Sequence, residues 1–400
     1  MNVNPASPQM ARAINDRMAL DLLFRHGRLS APQLRELTGL SRPSVSDLLV
    51  RLQDNELVEV VGEAGRKRRG PNAKLYGLVA SRAHVAGVDL RDGVVDVAVC
   101  DLAGATVATS RRTLTEAHPL SHLIRRAVGD ACRKVDLEVA DLHTVVIGAP
   151  GFIDQTTGEL LPGYRFPGWD AELLPGLVDT LNVPIALESE VNLAGVAELQ
   201  EGAGQGRQDL AVLWLDRSVG ASIIIDGRLR QGASGGAGEV GKLAVPGAEL
   251  PQAGRAVGGL HASVSTGAVA ALAEHHELPD REVPALVHEA FHTPSPTPSV
   301  AAFRDELTDR IAVGVLGLVA VVDPGLVVLA GDIGTAGDDA LAGAVAERLA
   351  VLDAVETEVR PTGLRTGPVV VGATLTALGI AHDDLFGGVR EMALHESHGE

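Results

Sequence analysis

The sequence predicts a small winged helix-turn-helix domain followed by a larger α/β body of two similar lobes around a cleft. Three observations predict it. Residues 30–57, SAPQLRELTGLSRPSVSDLLVRLQDNEL, carry two helix-start signals separated by a glycine stop. From Ala83 onward, apolar runs of strand length (VAGVDL, VVDVAVCDL, TVVIGAP, PIALE, DLAVLWL, ASIIIDG, LVVLAG) alternate with amphipathic stretches such as Leu120 to Val135, the pattern of an α/β sheet. Sections beginning at Gly87 and Leu210 each open as a β-meander ending in a turn, DLAG and IDGR, which points to an internal duplication.

In the first domain, residues 1–80, Ser30 and Gln33 are spaced to satisfy the orphan donors of a helix start as a capping box. Gly39 suits a left-handed helix stop, and Ser41 caps the next helix after a short turn. In that second helix Val45, Leu48, Leu49 and Leu52 form one buried stripe, which leaves Arg42, Ser44, Ser46, Asp47 and Arg51 on other faces. Arg42 and Ser44 are the first candidates for base readout, with Ser46 and Asp47 next; a carboxylate facing DNA must accept from cytosine or be repelled. Leu57 to Val61 and Leu75 to Val79 read as two strands around GEAGRKRRGPNAK, a wing. Its consecutive cations Arg66, Lys67, Arg68 and Arg69 suit phosphate or minor-groove contacts; alone they are also consistent with a solvated loop.

Charge is segregated in the same way. The chain carries a formal net charge of -18, yet residues 1–80 hold 12 Lys and Arg against 8 Asp and Glu, and the remainder 22 against 44. A weakly basic head on an acidic body restricts DNA contact to the head. With 46% hydrophobic residues and 22% charged, the composition is that of a globular protein. The two cysteines, Cys100 and Cys132, are too few for a disulfide framework and too far apart for a zinc cluster. The N-terminus lacks an apolar signal core and no run is long enough to span a membrane, so a cytoplasmic location without membrane contact is expected. HTPSPTPS, residues 292–299, reads as a surface loop between helices.

GVDL, VVIGAPGFIDQTTGELL, FPGWDAELLPGL, PIALESEVNLAGVAEL, SIIIDGRLRQGASGGAGEVGK and VDPGLVVLAGDI follow in the order and spacing of the ROK family, which contains sugar kinases and sugar-responsive repressors, and the chain resembles that family over nearly its whole length. The helix-turn-helix resembles the arm of the family's repressors. The resemblance implies an actin/hexokinase-like body with a ribonuclease H-like fold over residues 81–400. Its lobes are expected at about 81–198 and 199–380, with a terminal helix at 381–400.

The kinase chemistry of that family is altered at most of its expected positions, although the aspartate of the first phosphate hairpin remains as Asp89. Its phosphate-cradling hairpin, Asp-x-Gly-Gly-Thr, aligns with Asp89-Leu90-Arg91-Asp92-Gly93, and its second phosphate loop with Asp216-Arg217-Ser218-Val219-Gly220-Ala221-Ser222. Glycines that allow close backbone approach are lost, and Asp216 opposes a triphosphate: like unit charges at about 4 Å repel by roughly 4 kcal/mol at an effective dielectric near 20. The catalytic aspartate of Asn-Asp-Ala-Asn aligns with Glu190 in Ser189-Glu190-Val191-Asn192, whose extra methylene displaces the carboxylate. The zinc element has no cysteine here, and Lys242 replaces its histidine.

An enzyme is therefore not expected, nor zinc or ATP as cofactor. What the resemblance leaves is an effector pocket at Gly151, Gly168, Ser189, Glu190, Asn192, Glu239, Lys242 and His261, taking a sugar or sugar phosphate. The expected function is a transcriptional regulator, a repressor of carbohydrate metabolism, that binds a double-stranded DNA operator as a homodimer or tetramer. The alternatives are a sugar kinase with an accessory DNA-binding arm and a ligand-independent DNA-binding dimer.

Overall fold

A computed structural model describes residues 8–64, 73–91, 93–113, 119–151, 166, 168–170, 172–252, 255, 257–352 and 356–387. In the arm, α1 (Pro8–His26) and β1 (Leu29–Ser30) precede α2 (Ala31–Thr38). The Ser30 backbone N–H and hydroxyl both donate to Gln33 Oε1, at 2.9 and 2.7 Å. Gly39, at φ 70°, ends α2 with its N–H on the Arg35 carbonyl. Ser41 Oγ then accepts from the Ser44 N–H and starts α3 (Arg42–Asp54). Val45, Leu48, Leu49 and Leu52 of α3 are buried in one core with Leu20, Leu23 and Leu34. Strands β2 (Val58–Ala64) and β3 (Ala73–Leu78) pair antiparallel, with Val60 opposite Tyr76, and β1 pairs with the other edge of β3.

The first lobe contains β4 (His84–Arg91), β5 (Val94–Asp101), β6 (Thr106–Thr113), α4 (Leu120–Arg133), β7 (Leu142–Ala149), α5 (Leu173–Leu181), β8 (Ile185–Ser189) and α6 (Glu190–Glu201). The chain then forms β9 (Leu210–Leu215), β10 (Val219–Ile225), β11 (Arg228–Leu229), α7 (His261–Val264), α8 (Thr266–His275), α9 (Val283–His292), α10 (Pro298–Val322), β12 (Leu326–Ala330), α11 (Gly331–Leu352), β13 (Glu358–Pro361) and α12 (Pro368–Leu385). Their sheets run β6-β5-β4-β7-β8 and β11-β10-β9-β12-β13. Each is an antiparallel meander of three strands extended by two parallel strands. The duplication is therefore one of topology. The segment between α9 and α10 is the Pro-rich loop of the sequence.

One boundary differs from the sequence reading. The last helix among the described residues, α12, begins at Pro368, within the stretch expected for the second lobe, and packs with the first lobe, where Val369, Ala373, Ala377 and Ala381 share a core with Val146 and Leu193. Glycine makes this return possible. A Cβ on Gly372 would stand 1.9 Å from the Leu193 carbonyl oxygen, and one on Gly87 would stand 2.5 Å from the Thr374 backbone nitrogen. The helix thus lies backbone against backbone on α6 and β4, closer than any side chain permits. Residues 388–400 lie outside the described residues.

Candidate nucleic-acid interface and effector cleft

The first turns of α3 present Arg42, Ser44, Ser46 and Asp47, all exposed. Ser44 is partly engaged, its hydroxyl 2.9 Å from that of Ser41. Arg51 is paired within the arm: its Nη2 lies 2.5 Å from Asp16 Oδ1 and its Nε 3.3 Å from Asp16 Oδ2. The C-terminal half of α3 turns toward α1, so Arg51 ties the two helices together. Arg66, Lys67, Arg68 and Arg69 lie outside the described residues.

Between the lobes a narrow cavity is lined by Gly151, Ser189, Val191, Asn192, Ser218, Val219, Gly220, Ala221 and Glu239. Three local structures build it. Ser189 ends β8 and caps α6, its Oγ accepting from the Val191 N–H at 3.3 Å. The β9–β10 hairpin supplies Ser218 to Ala221. Gly238, at φ 85°, presses on β10, where a Cβ would meet the Ala221 carbonyl oxygen at 1.8 Å; this close approach sets Glu239 beside the strand. Behind the cavity, buried Glu188 accepts from Asn192 Nδ2 at 2.9 Å, from the Ser189 N–H at 2.8 Å and from Gln231 Nε2 at 2.5 Å.

Glu190 is buried, and Ser218 Oγ donates to its Oε1 at 3.1 Å. Burial pushes its carboxyl up to about 8 against the pull of Arg91, with Asp216 and Asp89 adding to the rise. A carboxyl raised in this way takes up a proton more readily than an ordinary glutamate does. Arg91, at the end of β4, crosses the cleft: its guanidinium lies 4.9 Å from the Trp214 ring centroid on β9, and its Nε is 4.0 Å from Asp89 Oδ2. Burial opposes its charge, but the carboxylates of Asp89, Glu190, Asp216 and Asp332 outweigh burial and hold it cationic. Burial likewise raises Asp216, and Asp332 adds to the rise.

Lys242 Nζ lies 2.5 Å from Glu239 Oε2, which offsets the added cation. His261 borders the same group; burial holds it below the usual imidazole range, partly countered by Glu239. Among the described residues no group of three or more His, Cys, Asp or Glu side chains could hold a metal ion. The residues present do not fit the family's zinc: the segment at Gly241 and Lys242 has no thiol, and Cys100 and Cys132 are buried in β5 and α4. Gly168 is not among the cavity-lining residues; it sits against Leu120 at the start of α4, where a Cβ would meet the Leu120 Cβ at 3.2 Å. Trp169 makes an edge contact with Phe166, centroids 6.5 Å apart.

Sequence reasoning missed Glu188, Gln231, Trp214 and Asp332, and treated Arg91 as a lost glycine. A signal was available only for Arg91, a cation inserted where acidic residues cluster along the chain at Asp89 and Asp92. No helix among the described residues is long and apolar enough to cross a membrane.

The MarR family model matches residues 15–69 and the ROK family model residues 85–378. A glucokinase of Halalkalibacterium halodurans is 28% identical over 222 residues, 50% of this chain and 65% of that protein. The xylose repressor of Bacillus subtilis (strain 168) is 22% identical over 243 residues, 60% and 62% of the two chains. The N-acetylglucosamine repressor of Escherichia coli O157:H7 is 23% identical over 240 residues, 59% and 58%. The chain thus spans about three fifths of the length of these curated relatives. A crystal structure of a ROK family transcriptional regulator, a homologue of the E. coli MLC protein, has the same fold: TM-score 0.74 at 15% identity, over 94% of this chain and 98% of that one. The ROK hexokinase of Thermus thermophilus gives 0.65 at 23% identity, covering 75% and 99%. Because the matched segment takes in both duplicated sheets and ends inside α12, the chain belongs to the ROK family.

Proposed function

We propose that the protein is a DNA-binding transcriptional regulator, a repressor of carbohydrate metabolism, whose operator affinity is set by a sugar in the interlobe cleft. One observation carries this reading: a winged helix-turn-helix is joined to a cleft in which Arg91, Asp216 and a buried Glu190 stand at the positions that resemble phosphate loops and catalytic base. Asp216 disfavours a triphosphate there and the longer Glu190 side chain displaces the carboxylate from the base position, which supports a regulator over a kinase that uses zinc or ATP. The similarity to the xylose and N-acetylglucosamine repressors supports the same reading, and the similarity to a glucokinase supports a sugar as the ligand of the cleft. Glu239 pairs with Lys242 and burial disfavours a charge on His261, which supports an uncharged, hydroxylated ligand over a sugar phosphate.

In this reading the chain acts as a homodimer or tetramer, two α3 helices meeting half-sites spaced by whole duplex turns. A sugar shifts DNA affinity by its differential affinity for the two cleft states. Arg42→Ala is expected to change base preference at one position by about 1–3 kcal/mol, whereas the double variant Arg68→Ala, Arg69→Ala weakens binding to all sequences and flattens the salt dependence. Selection from a random DNA pool and titration at several salt concentrations read both effects; equal behaviour of the two variants refutes the division of labour. Calorimetry with xylose, glucose, N-acetylglucosamine and their phosphates tests the pocket. ATP turnover with any of these sugars, abolished by Glu190→Ala, would establish the kinase reading instead.

A further inference from the structure

We infer that α12 carries the state of the cleft to the DNA-binding arm through a joint at His382, a route that rests on reading the cleft as the effector site. Helix α6 starts in the cleft with Glu190 and Asn192. Along its length it grips α12. The Leu193 carbonyl packs on Gly372 with no room for a Cβ. At its far end fully buried Glu198 accepts from the Gly363 and Leu364 N–H groups at 3.1 and 3.3 Å and from the Thr362 hydroxyl, in the loop that leads into α12. Contacts between backbones cannot be absorbed by a change of rotamer, so α12 follows any displacement of α6.

The other end of α12 is fastened to α1. His382 is buried, with its ring edge-on to Phe24 at 4.6 Å, stacked on Phe386 at 4.5 Å, and its Nε2 3.0 Å from the Leu102 carbonyl oxygen. Arg17 Nη1 donates to the His382 carbonyl at 3.0 Å and Nη2 pairs with Asp383 at 2.9 Å, while the guanidinium lies 5.5 Å from the Phe386 centroid. Phe24 also abuts the turn at Gly104, where a Cβ would lie 3.0 Å from its ring. Next to Arg17 on α1, Asp16 holds Arg51 of α3. Cleft, α6, α12, α1 and recognition helix therefore form one continuous packed series, and Phe24 and Arg17 are its positioning residues rather than contacts to DNA or sugar.

The test uses the full chain, DNA selected by the wild type from a random pool, and xylose, glucose and N-acetylglucosamine as probes. For Phe24→Ala and Arg17→Ala the sugar bound by the wild type is expected to bind unchanged in calorimetry, and DNA binding without sugar to persist. The ratio of DNA Kd with and without sugar, of order 5–150 for allosteric couplings, falls toward 1, and Arg17→Lys, which keeps the charge but not the planar fork, restores it in part. A wild-type ratio retained in both alanine variants overturns the route while leaving the effector reading intact. If Phe24→Ala abolishes DNA binding by unfolding the arm, Arg17→Ala, which removes the contacts to His382, Asp383 and the Phe386 ring and leaves Phe24 in place, decides alone. A wild type whose DNA affinity none of the three sugars shifts overturns the effector reading and the route with it.

Discussion

Arg91→Ala is expected to lower the unfolding free energy by about 3 kcal/mol at pH 7, the order measured when one partner of a buried charge cluster is removed. The variant leaves Asp89, Glu190, Asp216 and Asp332 around a site with no cation and deletes the stack on Trp214. Because Arg91 comes from β4 and Trp214 from β9, the loss falls on the junction between the lobes. The deficit should shrink as pH falls and the carboxyl groups take up protons, since neutral acids no longer need the guanidinium. Arg91→Lys keeps the charge without the planar stack and should fall between. Urea unfolding at pH 5 and pH 7 measures this; equal stability of Arg91→Ala and wild type at pH 7 would show that the cation contributes nothing.

Glu190→Gln is expected to unfold at higher denaturant than the wild type near pH 8 and to lose that advantage near pH 4. The sign follows from the raised carboxyl. Below its ordinary value of 4.5 both folded and unfolded chains hold the proton. Between there and about 8 the unfolded chain releases the proton and the folded chain keeps it, so wild-type stability declines by up to about 1.4 kcal/mol per pH unit. The contribution is fully present below the unfolded value and lost as pH rises through the folded one. Glutamine can still accept from Ser218 Oγ but has no proton to lose, so the difference reaches on the order of 4 kcal/mol at the alkaline end. Parallel stability curves for the two proteins would mean that Glu190 is already ionised in the fold.

The helices of the arm were readable because their signals are local. Ser30, Gln33, Gly39 and Ser41 act within a few residues, and the stripe at Val45, Leu48, Leu49 and Leu52 needs only the helical period to reach one core. Order along the chain also revealed the duplicated sheets. The candidate pocket was readable in part: Gly151, Ser189, Asn192 and Glu239 line one cavity with Glu190 behind it, yet Gly168 lies elsewhere and Ser218 to Ala221 were not foreseen as its wall. Their alignment with a phosphate loop did not mark them as lining this cavity, and only pairing of β10 with β9 turns them toward Ser189. The ion pair of Arg51 was not readable, because Asp16 lies on another helix far along the chain.

Sequence alone thus determined the kind of molecule, a DNA-reading head on a duplicated body most of whose kinase positions are altered, because motif order, helix caps and charge segregation are properties of neighbours along the chain. Tertiary structure alone decided three matters: that Arg91 closes the cleft from within, that Glu239 pairs with Lys242, and that α12 returns to the first lobe and fastens it to the arm. Each is a contact whose energy depends on burial and on the close approach of backbones at Gly238 and Gly372. Burial and approach distance are set by packing elements far apart in the chain, so neither can be read from residue order.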